Sequence, residues 1–165
     1  MEGHIYREHT LLNHEVLSSI PDYFRLIAEF IAREYPSALK IVEVGVGRTP
    51  FTALLLKRLI KNLRMVVVDK DPGIISELMG SEVEAVVDDV LSPKIEIYQN
   101  TDLIYSIRPP FELFSAIERL GELVGCDIII IPLLEDAYLA RANQRWKRID
   151  ISPRIIGLQR KIFRR

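Results

Sequence analysis

The sequence holds a single cysteine, Cys126, so its 165 residues can form no internal disulfide and no cysteine cluster for zinc. A reducing, cytoplasmic setting is therefore expected. Histidine is scarce too: His4, His9 and His14 precede the first patterned segment and form no ligand constellation, so no metal is expected. No stretch approaches the ~20 apolar residues of a membrane span. The start, Met1-Glu2-Gly3-His4, lacks the basic and then apolar signal region, so neither export nor membrane insertion is expected. Hydrophobic residues make up 48% and charged residues 27% of the chain, an ordinary globular balance. The length suits one domain over residues 1–165, with 1–20 as an N-terminal extension.

Charge is short overall but unevenly placed. The net value is −1, yet nine of the 22 Lys and Arg residues and one of the 23 acids fall within 141–165. That segment carries +8 and the preceding body −9. Lys and Arg can neutralise phosphates and release counterions, which makes RNA contact one reading of the basic C-terminal segment. The other is that it packs on the acidic body or is simply solvated.

Hydrophobic periodicity alternates along the chain. Tyr23, Ile27, Phe30 and Ile31 recur at helical spacing between Pro21 and Pro36. Leu39-Lys40-Ile41-Val42-Glu43-Val44 reads as a buried strand ended by glycine, and Pro50 opens a helix that runs to about Lys61. Met65–Val68 is a second strand, Pro72–Met79 a short helix, Ala85–Val87 a third strand and Leu103–Ile107 a fourth. A helix from Phe111 to Val124 leads into Asp127-Ile128-Ile129-Ile130-Ile131, the most continuous apolar strand. Leu133–Ala140 is read as helical, and Trp146–Ile151 with Ile155–Phe163 as a closing antiparallel pair whose register Ser152-Pro153 and Gly157 leave open. Strands this apolar, separated by helices, make an α/β fold: a Rossmann-like, doubly wound, mostly parallel sheet with an antiparallel C-terminal edge.

In such a sheet ligands bind beyond the carboxyl ends of the strands, and the notable polar residues lie there. Glu43, Gly45 and Gly47 end strand one, Asp69 ends strand two, Asp88 and Asp89 end strand three, and Arg108 ends strand four. Gly45 and Gly47 permit close backbone approach, although such glycines can also serve only a tight turn. Asp69, 22 residues after Gly47, is placed to accept both ribose hydroxyls of an adenosine-containing ligand. The dinucleotide pattern is broken twice, because Pro50 replaces its third glycine and Glu43 precedes the loop.

The Glu43-Val44-Gly45-Val46-Gly47 loop resembles the first motif of class I S-adenosylmethionine (SAM)-dependent methyltransferases. That resemblance implies SAM as cofactor, with Glu43 and the loop backbone at the methionine end, Asp69 on the ribose and Asp88 or Asp89 at the adenine amino group. Ser106-Ile107-Arg108-Pro109-Pro110-Phe111 is similar to the Asn/Asp-Pro-Pro-Tyr/Phe motif of amino-group methyltransferases, but Arg108 stands at the acceptor position. A guanidinium has five donors and no acceptor, so amino methylation does not carry over. Arg108 is read instead as a clamp on a substrate phosphate or carboxylate, or as an ion-pair partner of Glu43, Asp69 or Asp89. Arg108, Pro109, Pro110 and Tyr105 are the substrate-side candidates, with Tyr105 read more readily as a half-buried strand residue. From Ile41 to Leu134 the chain is similar to a small archaeal family of methyltransferase-fold proteins, which supplies a fold and no reaction.

The resulting expectation is a SAM-dependent methyltransferase of unspecified substrate, with RNA favoured. The alternatives are a SAM- or nucleotide-binding module that acts through a partner and, less well matched, a dinucleotide-linked oxidoreductase.

Overall fold

Alternating apolar runs and polar ends become a seven-stranded sheet in the computed structural model, which describes residues 18–137 and 145–162. Strands β1 (Lys40–Val44), β2 (Arg64–Asp69), β3 (Glu84–Val87), β4 (Leu103–Ile107), β5 (Asp127–Ile131), β6 (Lys147–Ser152) and β7 (Ile155–Arg160) lie in the order β3-β2-β1-β4-β5-β7-β6. The first five are parallel, whereas β7 runs antiparallel to β5 and β6. The Rossmann-like sheet and its antiparallel C-terminal edge are as the sequence indicates.

Side chains alternate across each strand, so the sheet buries a different set on each face. Ile41, Met65, Val67, Leu103, Ile129 and Ile131 face α1 (Asp22–Glu34) and α2 (Phe51–Leu59). Val42, Val66, Ile104, Ile128 and Ile130 face α4 (Phe114–Val124). Between β2 and β3 lies α3 (Pro72–Leu78), started by Asp71, whose carboxylate accepts from the Gly73 amide, and by Pro72, which needs no amide partner in the first turn.

The crossover from β3 to β4 has no α-helix, only a 3-10 turn at Ile95–Ile97. It is pinned at both ends instead. Tyr98, fully buried, donates from its hydroxyl to Asp88 at 2.6 Å. Lys40, buried beneath, donates from Nζ to the Ile97 and Gln99 carbonyls at 2.7 and 2.8 Å. These bonds satisfy main-chain acceptors that a helix would otherwise have paired. Loss of hydration pushes the Lys40 ammonium below its ordinary pKa.

The helix expected from Phe111 begins as a 3-10 turn, Phe111–Leu113, and becomes α-helical at Phe114. Over 133–137 the chain makes i to i+3 bonds, Asp136 to Leu133 and Ala137 to Leu134, and the remainder of the helix expected to Ala140 lies outside the described residues. The same holds for 1–17, with His4, His9 and His14, and for Arg141, Phe163, Arg164 and Arg165. In the closing hairpin the open question of register resolves into an irregularity between Asp150 and Ser152. The hairpin is fastened to the sheet by Tyr35, which donates to Asp127 at 2.9 Å and accepts from Gln159 at 2.9 Å.

Candidate functional site

Strands β1 and β4 are paired from Ile41 and Leu103 as far as Glu43 and Tyr105. Beyond that point they part, and the Ser106 hydroxyl takes over, donating to the Val44 carbonyl at 2.8 Å. This is where the chain order reverses, and the opening creates the crevice in which doubly wound folds bind ligands.

The loop after β1 crosses the end of β2. The amides of Gly45 and Val46 both donate to the Val68 carbonyl, at 2.8 and 3.1 Å. Gly45 and Gly47 have φ of +68° and +63°, a conformation that strains any residue with a Cβ. A Cβ on Gly45 would approach nothing nearer than the Ser106 hydroxyl at 4.0 Å, and one on Gly47 nothing within 4 Å. The glycines therefore serve the turn and leave open space above it.

Asp69 stabilises the loop from the side, its two oxygens accepting from the Gly47 and Asp71 amides at 3.0 Å each. A carboxylate offers about four acceptor positions, so roughly half of its capacity stays available. Asp69 then faces a cleft of about 260 Å³ lined also by Gly45, Lys70, Asp88, Asp89 and Leu91, with Val90, Pro110 and Leu113 as apolar walls. Three carboxylates against one ammonium make this cleft acidic.

Its two neighbouring acids differ. Asp88 is buried and uses both oxygens internally, accepting from the Tyr98 hydroxyl and from the Lys94 amide at 3.1 Å. Asp89 is exposed and commits one oxygen, Oδ1, to the Leu91 amide at 2.9 Å. Asp89 is thus the exposed member of the pair, with Oδ2 unpartnered among the described residues, whereas the remaining lone pairs of Asp88 are buried.

Glu43 and Tyr105 lie elsewhere. Both point to the α1–α2 side and are buried, Tyr105 completely, with the tyrosine hydroxyl donating to Glu43 Oε2 at 2.7 Å. Burial without a cationic partner pushes the Glu43 carboxyl up to about 8, and the tyrosine bond offsets only part of that shift. Glu43 thus supports the loop from beneath. Tyr105 is neither half-buried nor on the substrate side, because parallel pairing from β1 and β5 encloses it on both flanks.

Arg108 forms no ion pair with Glu43, Asp69 or Asp89. It occupies the left-handed region at φ +51°, its amide donates to the Ile131 carbonyl at 2.7 Å, and its side chain turns away from the acidic cleft. The guanidinium lies 4.2 Å from the centre of the Tyr23 ring and Nε donates to the Tyr23 hydroxyl at 3.2 Å. It lines a second cavity of about 310 Å³, together with Ile131, Leu134, Glu135, Arg154 and Ile155. Pro110 belongs to the first cavity and Arg108 to the second, so the Arg108-Pro109-Pro110 turn separates them. Tyr23 and Arg154 were not legible as site residues. The first is masked by an amphipathic helix pattern, and the second reaches the carboxyl end of β5 only because β7 runs backwards.

Much of the basic C-terminal segment that is described is already paired. Arg145 and Arg160 both bind Glu118 and Glu122 on α4, and Arg148 pairs with Asp150 at 3.1 Å. The packing alternative accounts for Arg145 and Arg160, whereas Arg148 pairs within the segment itself.

Among solved structures, the chain is similar to a SAM-dependent methyltransferase from Aquifex aeolicus, at 14% identity and a TM-score of 0.59, covering 82% of this chain and 89% of that one. It is similar also to a chain of a fibrillarin/Nop5p complex, at 11% identity and a TM-score of 0.56, covering 75% and 72%. At such identities the likeness is one of fold, that of class I methyltransferases. Two archaeal relatives are closer in sequence. One from Archaeoglobus fulgidus is 40% identical over 115 residues, covering 70% of this chain and 82% of the relative. One from Methanocaldococcus jannaschii is 35% identical over 114 residues, covering 68% and 81%. Residues 24–152 match the family described as Uncharacterised protein family (UPF0146), and the chain belongs to that family.

Proposed function

We propose that the protein is a SAM-dependent methyltransferase that holds the cofactor in the acidic cleft between the ends of β1, β2 and β3. The observation that carries this reading is the charge of the cleft. Among the described lining residues, Asp69, Asp88 and Asp89 are met by one cation, Lys70, which suits a sulfonium and repels the pyrophosphate or triphosphate of a dinucleotide or nucleotide.

The remaining features fit the same ligand. Asp69 has acceptor capacity for ribose hydroxyls, Asp89 Oδ2 is free to accept from an adenine amino group, and Val90, Leu91 and Leu113 flank the space between as ring-sized apolar walls. The open backbone of Gly45 and Gly47 lets the rest of the ligand cross the loop. Bound there, SAM supplies an electrophilic methyl group, taken by an acceptor lone pair as the carbon–sulfur bonding pair leaves on sulfur and any acceptor proton passes to water. The chain's own contribution is positioning, which by itself supports methyl transfer without a dedicated base.

Incubation with methyl-labelled SAM and fractionated archaeal extract tests the reading. Label should appear in an acceptor fraction and disappear with Asp69→Asn. SAM binding with no labelled acceptor in any fraction would favour the module that binds SAM and acts through a partner.

A further inference from the structure

Among the described residues, the carboxyl edge of the sheet carries two cavities of opposite charge, and the second is separate from the cleft proposed to hold the cofactor. We propose that the cavity beside β4 and β5 recognises an oxyanion, a phosphate or carboxylate group of the methyl acceptor, gripped by Arg108 and Arg154. This rests on the methyltransferase reading only for the word acceptor; the anion site itself is argued from its own residues.

Arg108 is held in place before any ligand arrives. Its amide is tied to the Ile131 carbonyl, its Nε to the Tyr23 hydroxyl, and its guanidinium carbon sits over the Tyr23 ring. Those contacts leave the two terminal nitrogens without a partner among the described residues, and they are the pair that meets an oxyanion bidentately. Arg154, exposed at the turn between β6 and β7, likewise has no side-chain partner among the described residues. Among the described lining residues, Glu135 is the one acid against two arginines, which gives them a net positive charge. Ile131, Pro132, Ile155 and Ile156 supply apolar lining to the same cavity. The left-handed backbone of Arg108, directly before Pro109, is a conformation that strains a non-glycine residue. It turns the side chain away from the acidic cleft, where carboxylates would otherwise have captured it.

The test is calorimetric titration of the full chain, without SAM, using inorganic phosphate, pyrophosphate and succinate as separate probes. At least one should bind saturably with one-to-one stoichiometry. Loss of a charge-assisted contact should weaken that binding about tenfold or more in Arg108→Gln and in Arg154→Gln. Preference for phosphate or pyrophosphate over succinate would assign a phosphorylated acceptor, and the reverse a carboxylate. Arg154→Gln removes an exposed side chain with no described partner, so its melting temperature should match the parent and exclude misfolding as the cause. The proposal is overturned by absence of saturable binding for all three probes, or by binding that neither substitution weakens. Anion binding in a protein that does not bind SAM would retire the methyltransferase reading and leave this site standing. SAM binding without anion binding would do the reverse.

Discussion

The Tyr105 hydroxyl donates to Glu43 Oε2 at 2.7 Å, across two strands that put these residues in register. No cation joins them, and burial raises the Glu43 carboxyl to about 8. The acid that opens the glycine loop is therefore largely protonated at neutral pH.

A pH dependence of stability follows. The folded state keeps a proton that the unfolded chain releases above the ordinary value of 4.5. The contribution of Glu43 to stability is then highest below 4.5, falls as pH rises toward about 8 and is flat beyond. Glu43→Gln removes this dependence. Urea unfolding should show the variant gaining on the parent between pH 5 and pH 8 by on the order of a few kcal/mol, since each unit of pKa shift is worth about 1.4 kcal/mol. A gap that does not change with pH would show that Glu43 is ionised in the fold.

Asp88 and Asp89 should separate by substitution. Asp88→Asn leaves the buried Tyr98 hydroxyl and Lys94 amide facing an amide that supplies one acceptor, so it should lower stability by about 1–3 kcal/mol. Asp89→Asn should leave the melting temperature nearly unchanged and weaken SAM binding several-fold. Thermal melts with and without SAM check both, and the opposite assignment would show as the opposite pattern.

Gly121, on the buried side of α4, packs against β5. A Cβ there would lie 2.3 Å from Ile128 Cδ1 and 2.4 Å from Cγ1. Ile128 is fully buried and β-branched, so it cannot swing clear. Gly121→Ala gains up to about 1 kcal/mol of helix propensity and loses about 1–3 kcal/mol to overpacking. A lower melting temperature is expected; a higher one would mean that α4 slides freely over the sheet.

Glu118 is a buried acid shared by Arg160 on β7 and Arg145 beside β6. Glu118→Leu leaves Arg160 and Arg145 with Glu122 alone on α4 and should cost about 1–3 kcal/mol, the loss of a largely buried charge-assisted hydrogen bond to Arg160. Equilibrium unfolding reads this directly, and a neutral result would mean that the hairpin is held by β5–β7 pairing alone.

Most of the fold was legible because the central strands are mostly apolar runs ended by glycine, aspartate, arginine or proline, and the helices carry apolar stripes. Glu43, Asp69 and Asp88-Asp89 could be placed at strand ends for the same reason. Roles were less legible than places. Whether Asp88 or Asp89 faces the ligand depends on Tyr98, ten residues later in a crossover without helical pattern. Glu43 reads as a ligand-facing acid until the strand's alternation turns it under the loop. Arg108 reads as an ion-pair partner of nearby acids until one left-handed residue sends it to Tyr23. Tyr23 and Tyr105 lie 85 and 62 residues from Arg108 and Glu43, and contacts that distant are not encoded in local periodicity.

The most direct measurement for the acidic cleft is calorimetric titration of the full chain with SAM, S-adenosylhomocysteine, NAD and ATP, repeated with Asp69→Asn. The account predicts saturable SAM binding that weakens about tenfold or more in the variant, with no binding of NAD or ATP. NAD or ATP binding as tightly as SAM, or SAM not binding at all, would contradict it.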